Sequence, residues 1–129
     1  MQPKSELISR TLQKSTVALS DALRNFEDGS LDTALNRLYY AVFYSVLALA
    51  YKHDFATSKH ATLMGWFNKK FVHEEKIFEA TLYDTYEDAF EYRQRSDYNM
   101  FFTPEKETVE RLLQRVREFV ATVTEKLLD

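Results

Sequence analysis

The sequence predicts an all-α protein: an up-and-down bundle of four long helices, with one short helix between the second and third. Three observations carry this. Glycine and proline number 2 each in 129 residues, against averages of about 7% and 5%, so the chain lacks the punctuation that an all-β fold or a disordered segment needs. Apolar residues recur at helical spacing along most of its length. Residues 38–51 are apolar on nearly every side for 14 residues, as a helix in the middle of a bundle must be.

The first helix is expected over residues 5–27. Ile8, Leu12, Leu19, Leu23 and Phe26 follow at spacings of 4, 7, 4 and 3 and form one stripe. Gly29 is placed to be the left-handed residue that ends the helix, and Ser30 to cap the next. So short a link folds the two helices back on each other. The second helix, over residues 31–53, is the one expected at the centre, or shared with a second subunit. Residues 54–76 are looser. A short helix fits residues 61–71, with Leu63, Met64, Phe67 and Phe71 on one side, although Gly65 weakens it by about 1 kcal/mol relative to alanine. The next long helix spans residues 77–96 and opens on an acidic face: Glu79, Asp84, Glu87, Asp88 and Glu91. Residues 97–103 interrupt the pattern. Thr103 followed by Pro104 reads as a cap with proline in the first turn. In the last helix Val109, Leu113, Val116, Val120, Val123 and Leu127 alternate spacings of 4 and 3, the seam of a helix packed nearly parallel to its neighbours.

Composition narrows the function. At about 100–200 residues per domain, residues 1–129 form a single domain. The absence of cysteine excludes a disulfide scaffold, a thiolate metal site and a cysteine nucleophile. Two glycines cannot build a phosphate-binding loop. Residues 1–10 have no apolar core of a secretory signal, and residues 38–51 fall short of the about 20 needed to span a bilayer, so a cytoplasmic protein with no membrane partner is expected. The net charge of −3 creates no general attraction for nucleic acid. A local basic stretch does exist: residues 51–73 carry Lys52, Lys59, Lys69 and Lys70 against Asp54 alone. None of His53, His60 and His73 has a glutamate three residues before it or a histidine partner four residues away. The helical metal motifs are therefore missing and neither metal nor cofactor is expected.

Three groups of residues remain as candidates. Arg93 and Asp97 stand four apart on one helix face, with Tyr98 and Arg95 beside them. Arginine grips a phosphate through two parallel N–H groups, and aspartate orients it; without function, the same pair is a surface ion pair near a helix end. Arg37, Tyr40 and Tyr44 share a face at the start of the central helix. The tyrosines read equally as core rings with wet tips, but Arg37 needs a partner there, such as Asp97. Ser58-Lys59-His60 opens the short helix, where His60 can donate to a phosphate or simply sit solvated.

The runs Ala34-Leu35-Asn36-Arg37-Leu38-Tyr39-Tyr40-Ala41-Val42-Phe43-Tyr44, Ser58-Lys59-His60, Trp66-Phe67-Asn68-Lys69-Lys70-Phe71-Val72 and Arg93-Gln94-Arg95-Ser96-Asp97-Tyr98 together resemble the HEPN domain family, most closely its small stand-alone prokaryotic branch. The resemblance implies a helical bundle, a homodimer, and pairing with a small nucleotidyltransferase encoded beside it. It also implies a nucleotide- or RNA-binding protein that acts as the toxin or binding partner in a two-component module. Many members are metal-independent endoribonucleases whose signature is an arginine followed a few residues later by a histidine, set in a dimer cleft. Arg93 fits the arginine, but Tyr98, preceded by Asp97, stands where the histidine is due, as in the branch resembled. On this resemblance Arg93, Asp97 and Tyr98 are the candidate catalytic residues, and Arg37, Lys59, His60 and Arg95 the candidate substrate-binding ones. The alternatives are an endoribonuclease in which His60 or Tyr98 fills the histidine's role, and a non-catalytic helical adaptor whose Arg–Asp pair only holds the bundle.

Overall fold

A computed structural model describes residues 3–129. They form the expected bundle of four long helices and one short one, α1 (Pro3–Glu27), α2 (Leu31–Lys52), α3 (His60–Phe67), α4 (Ala80–Tyr98) and α5 (Lys106–Leu128). Helix α3 runs directly into a wider π-helical turn, Asn68–Glu74. No strand occurs among the described residues.

Helix α2 is the hub and touches α1, α3, α4 and α5. Its buried residues run from Ala34 to Ala50 and lie on all sides of the helix, as its apolar sequence requires. The α5 seam is also buried: Val109, Val116 and Val123 have no exposure, and Phe119 adds a large ring beside them. Aromatic rings fill the space between α3, α4 and α5, with Phe67 near Phe71, Phe78, Tyr86 and Phe119 at 5.6–6.0 Å between ring centres.

Helix α1 ends as its sequence indicates. Gly29 adopts φ +80°, the Ser30 amide donates to the Asn25 carbonyl and the Gly29 amide to the Phe26 carbonyl. This is the bonding pattern of a helix closed by a left-handed glycine. Helix α2 ends in the same way with Asp54 at φ 58° and the Phe55 amide on the Ala50 carbonyl.

Three local expectations are corrected. The buried side of α1 is not the stripe of large residues but Thr11, Ser15, Ala18 and Ala22, while Leu23 is exposed. Small side chains let α1 lie close against α2, close enough for the Ser15 hydroxyl to donate to the Ala41 carbonyl at 2.6 Å. Ala34, Ala41 and Ala48, seven residues apart and fully buried, give α2 a matching small-residue line. The leucines then straddle the contact rather than fill it. Thr103 and Pro104 do not start α5, whose cap position is Glu105; the segment before it instead brings the Phe102 ring to 6.3 Å from that of Tyr92. Ser30 occupies the α2 cap position without a side-chain bond; its carbonyl accepts from the Ala34 amide instead.

Candidate functional site

Helix α4 carries a stripe of Tyr86, Ala89 and Arg93 that faces inward, and Asp97 continues it to the helix end. Tyr86 and Ala89 are buried. One turn later the stripe reaches the rim of the bundle, and there the buried position is taken by an arginine. Arg93 Nε donates to Asp97 Oδ2 at 3.1 Å, and the two side chains are only 16% and 29% exposed. The Arg93 guanidinium also lies over two rings of α2, 5.1 Å from the centre of Tyr39 and 5.3 Å from that of Tyr40. Cations are attracted to ring faces at such distances, so Arg93 is held from two sides. One turn further along α4, the Ser96 hydroxyl donates to Asp32 at 2.6 Å, tying the helix end to the first turn of α2.

Arg37 enters the same place from α2. Its guanidinium sits 5.0 Å from the centre of the Tyr40 ring and donates to the Asn36 side chain at 2.8 and 3.1 Å. Asp97 is therefore not its partner, contrary to the sequence-based expectation: the carboxylate is held by Arg93, one turn away on its own helix. Tyr40 thus carries two guanidiniums.

His60, the first residue of α3, closes the group. Its ring stacks on Phe43 at 4.4 Å and lies 5.6 Å from Tyr39, and its Nδ1 is 2.6 Å from the Tyr39 hydroxyl. Burial pushes the Tyr39 phenol pKa up, against the opposing pull of Arg93, so the phenol keeps its proton. Burial and then the Arg93 charge push the His60 pKa down from 6.5, so the imidazole is neutral at pH 7. Among the described residues Tyr39 has no other acceptor for its proton, which directs the bond from the phenol to Nδ1. The hydrogen of the neutral ring then sits on Nε2.

The structure therefore brings together Arg93, Asp97, Arg37 and His60. It does not bring Arg95 or Lys59 to them. Arg95 turns away to Glu91 at 2.7 Å and lies over Tyr92. Lys59 caps α3 with its backbone and is exposed. Tyr98, about 100° round the helix from Asp97, is 74% exposed and flanks the group. Tyr39 and Phe43 are residues that sequence reasoning passed over, because a ring in an apolar run looks like ordinary core. The one available signal was the adjacency of Tyr39 and Tyr40 to Arg37 on the central helix.

Among the described residues no group of three histidine, aspartate or glutamate side chains is arranged to hold a metal ion, and no helix is long and apolar enough to cross a membrane.

Two relatives cover most of this chain. A "UPF0332 protein" of Thermotoga maritima is 31% identical over 129 residues, all of this chain and 96% of its own length. A protein of Methanocaldococcus jannaschii named "Putative toxin MJ0142" is 26% identical over 122 residues, 95% of this chain and 82% of its own. The HEPN domain family model matches residues 8–127, a stretch that runs from within α1 into α5 and includes every residue of the Arg93 group. The chain belongs to the HEPN domain family.

Proposed function

We propose that the protein is the toxin component of a two-component module, and that the Arg93 group binds a phosphate of a nucleotide or RNA. The observation that carries this reading is the Tyr40 ring shared by Arg37 and Arg93. Two like charges are held at one ring; Asp97 is paired to Arg93, while among the described residues Arg37 has no carboxylate within ion-pair distance, so its positive charge is left unpaired. The neutral His60 adds an N–H donor at Nε2 beside it. Charge-assisted donors grouped around one ring suit phosphate recognition. The relative named as a toxin supports the module, and the family resemblance supports a nucleotidyltransferase partner and a second copy of the chain. The Tyr98, Met100 and Phe101 side chains, 74%, 97% and 97% exposed, supply an apolar surface for such a copy.

Binding fits this geometry better than base catalysis. Cleavage of RNA without a metal needs a group to take the proton of a 2′-hydroxyl as its oxygen attacks the adjacent phosphorus. With Nδ1 accepting from Tyr39, His60 offers a hydrogen rather than a lone pair.

The test is fluorescence anisotropy with a labelled oligoribonucleotide, read beside thermal melting. Arg93→Ala should weaken binding about tenfold to a hundredfold, the worth of a hydrogen bond to a charged group. Arg93→Lys should lose most of the same, since lysine lacks the planar fork. Unchanged binding with a large drop in melting temperature would make Arg93 a scaffold residue, and the adaptor reading would stand. Fragmentation of total RNA in the presence of EDTA, abolished by His60→Ala, would favour the endoribonuclease.

A further inference from the structure

Beside the Arg93 group, between α1 and α2, runs a groove of about 420 Å³ lined by Arg10, Gln13, Lys14, Val17, Arg37 and Tyr44 over a floor at Ala18. Its position follows from the close α1–α2 contact. Small residues bring the helix axes together, and the longer side chains one position outside that line stand up as walls. No carboxylate lines it among the described residues, in a protein whose net charge is −3. Lys14 and Arg37 have no carboxylate within ion-pair distance among the described residues; Arg10 alone is paired, to the exposed Glu6 at 2.8 Å.

The groove is continuous with the site. Arg37 lines the groove and also faces the Tyr40 ring at 5.0 Å, the ring that Arg93 faces from the other helix. Tyr44 lies 5.9 Å from Tyr40, one turn along α2, and Lys14 lies 5.5 Å over Tyr44. The order along the surface is therefore Lys14, Tyr44, Tyr40 with Arg37, then Arg93. Lys14 and Arg37 bracket the pair of rings Tyr44 and Tyr40, and Arg37 and Arg93 share the Tyr40 ring. A track of positive charge interleaved with rings follows a flexible backbone of phosphates and gives its bases stacking surfaces. An acidic peptide would use the charges but has no need of the rings.

The geometry points to the α1–α2 groove as a subsite for the strand that flanks the bound phosphate. The ligand is then a single-stranded RNA several nucleotides long rather than a free mononucleotide. This rests on the reading of the Arg93 group as a phosphate site and extends it by about two helical turns, to Lys14 and Arg10.

The experiment compares a fluorescein-labelled uridine decamer with unlabelled UpU as competitor, on the full chain, across a salt series. Lys14 and Arg10 are exposed, so Lys14→Ala and Arg10→Ala/Lys14→Ala should leave the melting temperature in place. Each phosphate contact to a single strand contributes about 0.7 to the slope of log K against log salt, which is about fivefold in affinity at 0.1 M. Lys14→Ala should therefore weaken the decamer about fivefold and flatten the slope by about 0.7, and the double variant about 25-fold and by about 1.4. Neither should change competition by UpU, which spans only the Arg93 end. Arg93→Ala should weaken both ligands. A loss on Lys14→Ala with no effect of Arg93→Ala would keep the groove and reject the Arg93 phosphate site. Decamer affinity and salt slope indifferent to both groove variants would overturn the groove as an RNA subsite and leave it to a protein partner.

Discussion

Replacing Tyr39 by phenylalanine tests the arrangement of the site most directly. Tyr39 is fully buried, and the substitution removes one oxygen without changing the ring's packing against Tyr40, Phe43 and Phe90. What is lost is the 2.6 Å bond to His60 Nδ1, leaving that nitrogen half-buried against Phe43. A net hydrogen bond and part of an unsatisfied group together amount to about 1–2 kcal/mol. A chain of this length loses about 4 °C in melting temperature per kcal/mol, so Tyr39→Phe should melt about 4–8 °C lower at pH 7.5. The histidine supplies a second readout. In the folded protein His60 titrates below its ordinary value, chiefly through burial and then through Arg93. Its contribution is in place above pH about 6.5 and is lost as the pH falls through the lower, folded midpoint. The Tyr39 proton on Nδ1 favours the neutral ring, so Tyr39→Phe should raise the His60 midpoint and narrow the stability gap to wild type at acid pH. Titration of the His60 ring by NMR measures this. A midpoint that falls in Tyr39→Phe would mean that the imidazole donates to the phenol oxygen. The assignment of hydrogen to Nε2, and with it His60 as a phosphate donor, would then be wrong.

Three further outcomes follow from the packing. Tyr86 is fully buried and among the described residues its hydroxyl has no hydrogen-bond partner, so Tyr86→Phe should be neutral or stabilising by up to about 1 kcal/mol in denaturant melts; a loss above that would reveal a partner. Ser15→Leu forces a large side chain into the closest part of the α1–α2 contact and should cost about 3 kcal/mol or more, whereas a tolerated leucine would show that the small-residue line is not what holds the hairpin. Met100→Ser/Phe101→Ser should halve the mass seen by light scattering at tens of micromolar, about the range in which a dimer of moderate affinity persists, without lowering the melting temperature. A wild-type protein already monomeric there would remove the second copy from the Tyr98–Phe101 surface.

Much of this molecule is written in its sequence. Helices depend on interactions within a few residues, so the α5 seam, the all-round apolar α2 and the Gly29 ending could be read from spacing and residue type alone. The same locality makes Arg93 and Asp97 legible as a pair, since residues four apart on a helix meet whatever surrounds them. Contacts between helices are another matter. Which side of α1 turns inward depended on how closely α2 could approach, and close approach favoured Ser15 and Ala18 over Leu23. Arg37 found its partners within its own helix, Asn36 beside it and the Tyr40 ring one turn on, whereas it took the α2–α4 packing to bring Arg93 over the Tyr39 and Tyr40 rings. His60 reaches Tyr39 only because α3 folds back over α2, a contact across 21 positions in the chain that no periodicity encodes. The direction of that hydrogen bond, and the neutral imidazole it favours, come from burial, and burial is a property of the assembled bundle.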